Sequence, residues 1–399
     1  MVRRGAANVL IAGGGVAALE AALALRALGE ERVSVELLAP EPHFWYRPLA
    51  VAASFQLGKV IHFELSELAA AAGATFSHGT LVSVDPTQHL AHTSPGGGIP
   101  YDMLLIACGA VPKPAVPGAL TFRGGLVLES SHRDFGGVSG LRVAADGARF
   151  LAVTDKGHWL RARIVYRGKA PIAIADAEMA PILGPDGKPL KSRGWYDTEA
   201  LAEDGGAVYV GIERVNQVVR FDIAKDGLRA RGRPIAVPPG MKLLPHNRSI
   251  ECLEVAPNGG PLAGTLIAIS ERGLDTAGNL LAFLIGGSGG VFSVKRTGDF
   301  DVSDCAATPD GKLLVLERRF SWMTGLAMRI RSVPFAMIKP DALVDGPELI
   351  FADMGSQVDN MEGLSVHRDA SGAVVLTLIS DDNFSPLQRT LLLQFTLAE

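Results

Sequence analysis

The chain has 399 residues, with 38 Lys or Arg against 42 Asp or Glu, and a formal net charge of −4 at pH 7. Such a weakly acidic chain, without a basic run, is not typical of a nucleic-acid-binding protein. Hydrophobic residues make up 48% of the sequence, which excludes global disorder. At about 150 residues per domain, the length predicts two to three domains.

No uninterrupted apolar stretch reaches the roughly 18 residues of a membrane span, so no span is expected. The apolar stretch after Arg3 and Arg4 is interrupted by glycines and by Glu20. We therefore expect no signal peptide and a cytoplasmic protein. The three cysteines are too few for a disulfide framework or a thiolate metal cluster.

The N-terminal region, residues 1–122, is predicted to alternate strands and helices. In chain order, the pattern predicts a strand over 8–12, a turn over 13–15, a helix over 16–28, a strand over 33–38, a helix over 64–72, and strands over 80–84, 89–93 and 103–107. This order is typical of a dinucleotide-binding βαβ unit followed by a small β-meander and a returning strand.

The first turn carries the pattern G-x-G-x-x-A, and it lies between a predicted strand and a predicted helix. Gly13 allows the tight turn, Gly15 allows the backbone to approach a pyrophosphate, and the small Ala18 allows the helix to pack on the strand. An acidic residue near the end of the second strand would bind a ribose. Glu36 lies inside that strand and Glu41 just after it, so Glu41 is the better candidate.

This region resembles the pyridine nucleotide-disulfide oxidoreductases, in particular the branch with NADH:quinone and sulfide:quinone reductases. The glycine motif carries the resemblance together with residues 40–49, 101–110 and 116–118. The resemblance implies FAD, bound at Gly13, Gly15, Ala18 and Glu41, with Arg47 near the flavin and Gly109 in the returning segment. The family's second nucleotide domain does not follow, so we expect an incomplete, Rossmann-like FAD/NAD(P)-binding unit.

From about residue 123 onward the pattern changes to short strands separated by glycine turns. One unit recurs in five copies: an acid near the start of an apolar strand, a turn, and a second apolar strand that ends in an acid and usually a base. A repeat of this length in an all-β region predicts a β-propeller. We expect five or six blades over residues 123–399, with residues 390–397 closing the ring on the first blade.

In a propeller the first strand of each blade lines the central channel, so acids at the starts of these strands converge. In four copies of the repeat an acid occupies this position, and the acids are Glu199, Glu251, Asp304 and Glu362. The remaining copy, which comes first in the chain, has Ser139 there. Four carboxylates around one axis repel one another unless their charge is compensated. Three solutions stay open: shared protons, a ring of ion pairs with the repeated bases Lys156, Arg214, Arg272 and Arg318, or Ca²⁺ held by the four acids with Asn247 and Asn360.

Arginines of the same region predict an anionic substrate, because guanidinium groups match phosphate and carboxylate oxygens. The candidates are Arg248, Arg318 and Arg389. A cation, carboxylates and guanidinium groups together suit phosphoester hydrolysis, and the four acids are the candidate catalytic residues.

Residues from about 120 to 399 resemble the phytase-like β-propeller family, named for the esterase-like activity of phytase. The resemblance is carried by residues 135–141, 155–160, 197–202, 247–251, 316–320, 359–364 and 380–390. It implies a hydrolase that acts on a small anionic or ester substrate. Two other functions stay open, which are a flavin-dependent oxidoreductase and a propeller that binds without catalysis.

Overall fold

A computed structural model describes residues 6–45, 62–108, 119–287, 289–321, 325–353, 358–385 and 388–398. The chain folds as two units, Met1–Pro112 and Lys113–Glu399. Among the described helices, none combines the length and the apolar character that a membrane span requires.

The N-terminal unit is an α/β fold, and it contains each predicted helix and strand together with four short strands that were not predicted. They are β1 (Ala7–Ala12), α1 (Val16–Gly29), β2 (Val33–Ala39), β3 (His43–Trp45), β4 (His62–Glu64), α2 (Leu65–Ala71), β5 (Thr75–His78), β6 (Thr80–Asp85), β7 (Leu90–Ser94), β8 (Gly97–Pro100) and β9 (Met103–Ile106). A parallel sheet has the order β5-β2-β1-β9, and β6, β7 and β8 form the expected meander. Ala18 and Ala22 bury the inner face of α1, where small side chains allow a close approach to the sheet.

The second unit is built almost entirely from strands. They are β10 (Leu120–Leu128), β11 (Val138–Val143), β12 (Arg149–Thr154), β13 (His158–Arg167), β14 (Ala170–Pro181), β15 (Thr198–Asp204), β16 (Ala207–Ile212), β17 (Gln217–Asp222), β18 (Arg233–Pro234), β19 (Ile250–Val255), β20 (Leu266–Leu274), β21 (Leu280–Ile285), β22 (Gly290–Val294), β23 (Asp301–Ala307), β24 (Lys312–Ser321), β25 (Gly325–Pro334), β26 (Leu343–Val344), β27 (Glu348–Asp353), β28 (Asn360–Arg368), β29 (Val374–Asp381) and β30 (Thr390–Leu397). A short helix, α3 (Ile223–Asp226), follows β17.

These strands form five sheets, which we number as blades 1 to 5. Their strand orders are β11-β12-β13-β14, β15-β16-β17-β18, β19-β20-β21-β22-β26, β23-β24-β25-β27 and β28-β29-β30-β10. The first strand of each blade packs against the first strand of the next, and β28 packs against β11. The second unit is therefore a β-propeller, and the described residues form five blades.

The ring closes differently from the prediction. Residues 390–397 were expected to join the first blade, but β30 is the third strand of blade 5. The closing strand is β10, which comes from the start of the unit and pairs antiparallel with β30 from Leu120↔Leu397 to Leu128↔Thr390. Because β10 covers the edge of β30, the last blade is completed by the first strand of the unit.

A disulfide joins two neighbouring blades. Cys252 in β19 and Cys305 in β23 are both fully buried, and 53 residues separate them in sequence. We expected no disulfide framework from three cysteines, and this single cross-link was not predicted. A cross-link that closes a loop of this length stabilises a fold by about 3–4 kcal/mol, largely through the unfolded chain.

Candidate functional site

Each first strand contains a one-residue bulge near its start, and the bulges define equivalent positions around the channel. The residues at the bulges form what we call the inner ring: Gly140, Glu199, Glu251, Ser303 and Glu362. Three of the four predicted acids thus occupy one ring. Asp304 lies one position further along its strand, so its predicted equivalence is wrong, as is that of Ser139, which precedes the bulge of β11.

A second set of equivalent positions lies where the second strand of each blade ends. We call it the outer ring, and its residues are Thr154, Glu213, Glu271, Arg318 and Asp381. In blade 1 the acid comes one residue later, at Asp155. An acid at the end of each second strand was part of the predicted repeat, but a role was predicted only for the bases beside these acids, so the acids were missed as site residues.

Glu362 lies at the centre of one group of contacts. Its Oε1 accepts a hydrogen bond from Asn360 Nδ2 (2.6 Å) and pairs with Arg318 Nη1 (3.0 Å). The Ser139 hydroxyl lies 3.2 Å from Glu362 Oε2 and 3.1 Å from Asp155 Oδ1. One hydroxyl proton cannot serve both oxygens, so a proton on one of these carboxyls would satisfy both contacts.

Glu213, Glu251 and Glu271 form a second group, to which each contributes a carboxylate oxygen, and these oxygens lie within 4.8 Å of one another. Ser249 N donates to Glu213 Oε1 at 2.6 Å. Glu251 is 4% exposed, and its buried Oε2 has no hydrogen-bond partner among the described residues. A buried carboxylate oxygen without a partner is costly, and either a proton or a bound cation would relieve that cost.

Burial and mutual repulsion raise the pKa of five acids in and beside these groups, which are Asp155, Glu199, Glu213, Glu251 and Asp381. Burial is the largest cause at each site, and neighbouring carboxylates add to it. The pKa values of Asp155 and Glu213 rise to about 7 and that of Asp381 to about 9, while those of Glu199 and Glu251 rise well above their ordinary values. We call Asp155, Glu199, Glu213, Glu251, Glu271, Glu362 and Asp381 together the acid cluster. Near neutral pH the acid cluster therefore holds protons unless a cation replaces them.

The repeated bases do not all face these acids. Arg318 pairs with Glu362 and, at 3.6 Å, with Glu271. Lys156 lies 3.3 Å above the Phe384 ring, Arg214 lies over Tyr196, and Arg272 pairs with Asp301. Among the described contacts, Arg318 is thus the one repeated base that pairs with these acids, so the bases and acids do not form an alternating ring.

Asp304 belongs to a different level of the channel, where Arg142 fills the axis. Arg142 Nη1 and Nη2 donate to the carbonyls of four first strands: Leu141, Leu253, Cys305 and Leu364, at 2.5, 2.5, 3.1 and 3.0 Å. The guanidinium also pairs with Asp304 at 3.4 Å and with Glu254 at 3.5 Å. Asp304, fully buried, accepts from the backbone N–H groups of Cys305 and Leu364 and is not part of the acid cluster.

The other predicted propeller residues do not all contact the acid cluster; they are Asn247, Arg248, Asn360 and Arg389. Asn360 Oδ1 accepts from Arg318 at 2.8 Å, so Asn360 links that guanidinium to Glu362. Asn247 is exposed and accepts from Arg214 instead. Arg248 is exposed beside it, and its charge acts on Glu271. Arg389 is held through its backbone, where its N–H donates to Asp359 at 3.0 Å.

The glycine turn of the N-terminal unit has the geometry that a phosphate requires. Gly13 has φ +145°, and a Cβ there would lie 2.1 Å from the Ala107 carbonyl oxygen. Gly15 precedes α1, and a Cβ there would meet none of the described residues within 4 Å, so these residues leave the start of the helix open to a ligand. Ser77 donates to Glu36, whereas Glu41 is exposed. Arg47 and Gly109 lie outside the described residues.

Two protein families match the chain, one mainly over each unit, and their matches overlap over residues 133–178. The profile described as "Esterase-like activity of phytase" matches residues 133–384, which include most of the propeller. The profile of the pyridine nucleotide-disulphide oxidoreductases matches residues 7–178, which begin in the N-terminal sheet and extend into blade 1. No protein of curated function matches the chain.

Solved structures resemble either part. The sulfide:quinone oxidoreductase of Aquifex aeolicus is 29% identical over 27% of this chain and 25% of its own, with a TM-score of 0.25, so the chain spans about a quarter of that enzyme. The glutaminyl cyclase of Myxococcus xanthus is 12% identical over 69% of this chain and 98% of its own (TM-score 0.35). The arabinofuranosidase of Podospora anserina is 10% identical over 70% and 98% (TM-score 0.43).

Proposed function

Because the chain belongs to the phytase-like family, whose profile covers most of the propeller, we propose that the propeller hydrolyses a phosphoester or related ester at its acid cluster with the help of a divalent cation. The observation that carries the proposal is Glu251 Oε2, which is buried without a partner beside Glu213 and Glu271. An unpartnered carboxylate oxygen among other carboxylates is a donor set that suits a hard cation.

The three carboxylates fit Ca²⁺ better than a softer metal, because all three offer oxygen and Ca²⁺ prefers carboxylate ligands. Glu213, Glu251 and Glu271 would hold the ion, with Glu199 and Glu362 as neighbouring charges. When bound, the ion would supply positive charge for an anionic substrate and Lewis-acid activation. Asn247, which bonds Arg214, lies outside this donor set.

The chain's own residues would bind and orient the substrate. An unneutralised acid cluster repels an anion, so substrate binding depends on charge compensation in the cluster. Arg248 is exposed and acts electrostatically on Glu271, which makes it the candidate for substrate binding at the rim. Arg318 is held by Glu362 and Asn360, so we assign it to positioning these side chains. A role of Arg389 in anion binding stays a prediction.

We expect Glu251→Gln in the full chain to lower hydrolysis by on the order of 100-fold or more, because even changing a residue that only supports a metal ligand lowers affinity or activity roughly 10- to 100-fold. The measurement is release of nitrophenol from p-nitrophenyl phosphate and p-nitrophenyl acetate, with Ca²⁺ and after chelation. Glu203→Gln is the matched control, since Glu203 is an exposed acid on β15. A Glu251→Gln variant with unchanged hydrolysis and unchanged Ca²⁺ binding contradicts the proposal and favours a binding scaffold.

We also propose that the N-terminal unit binds the ADP portion of FAD, as its match to the oxidoreductase profile and the open start of α1 support. Gly15→Val should weaken FAD binding at least about tenfold, because a side chain would occupy the path of the pyrophosphate. The measurement is titration of the full chain with FAD, followed by flavin fluorescence. Ala27→Val, on an exposed position of the same helix, is the control. If the unchanged chain does not bind FAD, this proposal is wrong.

A further inference from the structure

Blade 4 breaks the repeat at both rings. Three inner-ring positions carry Glu, whereas blade 4 has Ser303 and blade 1 has Gly140 there. In the outer ring, blades 2, 3 and 5 carry an acid, and blade 1 has one at the next residue, but blade 4 has Arg318. A position that carries a carboxylate elsewhere thus carries the opposite charge in this blade.

Arg318 connects three blades through the acid cluster. From β24 in blade 4 it reaches Glu362 and Asn360 in blade 5 at 3.0 and 2.8 Å, and Glu271 in blade 3 at 3.6 Å. Its Nε is buried and has no hydrogen-bond partner among the described residues. A guanidinium keeps its charge at every accessible pH, so it is a permanent cation at this place.

The contacts of Arg318 divide the cluster unequally. Glu362 pairs with it at close range, whereas Glu271 is further away, and Glu251 Oε2 has no partner. Glu362 therefore has a close counter-charge in the protein itself. Glu213 and Glu251, in blades 2 and 3, converge with Glu271 and have no base at such close range among the described contacts.

We infer that Arg318 is a built-in cation, which occupies the place of a second metal ion and confines metal binding to Glu213, Glu251 and Glu271. This inference rests on the proposed function, because it assumes that the cluster binds a cation. Arg318 would therefore determine how many divalent cations the site binds. The site would hold one divalent cation beside one guanidinium, and it would not hold two exchangeable ions.

The test is to count Ca²⁺ ions and measure their affinity by calorimetry on the full chain, after chelation and dialysis. We expect one ion in the unchanged protein. Arg318→Met should bind a second ion, or bind the first at least about tenfold more tightly, which is 1.4 kcal/mol. Arg318→Lys keeps a charge at this position and should bind as the unchanged protein does. Arg214→Met, which removes an exposed base beside Glu213, is the matched control.

An Arg318→Met variant that binds the same number of ions with the same affinity overturns the inference and leaves the proposed function intact. If the unchanged protein binds no Ca²⁺, the proposed function fails. In that case a single ion gained by Arg318→Met still supports the role of Arg318, and no gain overturns it. Should Arg318→Met fail to fold, Arg318→Gln removes the charge while keeping polar atoms, and the same outcomes apply to it.

Discussion

Replacing Arg142 with Met should destabilise the propeller by about 3–5 kcal/mol, which is the usual effect of removing one partner from a buried ion pair. The side chain has two roles in the channel. It neutralises Asp304 and Glu254, and it gives hydrogen bonds to carbonyl groups of four first strands. Met fills a similar volume but leaves both carboxyls without a counter-charge and the carbonyls without these donors.

The measurement for Arg142→Met is chemical denaturation of the full chain, monitored by a signal from the propeller tryptophans. Arg163→Met is the matched control, because Arg163 also pairs with an acid, Asp176 at 2.7 Å, but at the surface. Such exposed pairs contribute only about 0–1 kcal/mol. Equal effects of the two substitutions would show that Arg142 does not hold the blades together. Adding Asp304→Asn to Arg142→Met should recover part of the loss, since it removes one unpaired buried carboxyl.

The period of the repeat was sufficient to predict a propeller, and the glycine motif was sufficient to predict the βαβ unit. Both patterns are local. A strand such as β1 is followed within a few residues by its turn and helix, and four of the five copies of the repeat begin with an acid that is followed by a turn. Closure of the ring was predicted wrongly because it depends on a pairing between residues 120–128 and 390–397, which are far apart in sequence. Two apolar strands carry no local signal of which partner they take.

The site was predicted only in part because a bulge moves a side chain by one position. Asp304 follows the bulge of β23, so it faces Arg142, whereas Glu251 occupies the bulge of β19 and faces the other acids. A repeat read by eye cannot separate these two positions. Arg142 was missed for another reason. Its partners are mostly backbone carbonyls, and such partners cannot be recognised from residue types because every residue has a carbonyl. The acids of the outer ring, in contrast, can be recognised in the sequence, since each follows the end of a second strand.

In the absence of divalent cations, the melting temperature should fall as pH rises from about 5 to about 9. Asp155, Glu213 and Asp381 have pKa values raised to about 7, about 7 and about 9, chiefly by burial. In the unfolded chain their pKa values return to about 4. The folded state therefore binds more protons across this range, and its stability, complete below about pH 4, is lost as pH rises through the folded values.

Calcium should reverse the part of this loss that comes from Glu213, because the ion can replace the protons held by Glu213, Glu251 and Glu271. Coupling among the acids limits the effect, and we expect a loss of about 3 kcal/mol, or roughly 6–12 °C, between the two ends of the range. Differential scanning calorimetry with Ca²⁺ and with chelator measures it. The part that Ca²⁺ does not restore includes Asp304, whose pKa rises to about 7 by burial beside Arg142. Asp155→Asn, which removes one titrating group, should make the pH dependence shallower. A melting temperature that rises with pH in the chelated protein would mean that the acids are charged and paired in the folded state, and the cation site would then lose its physical basis.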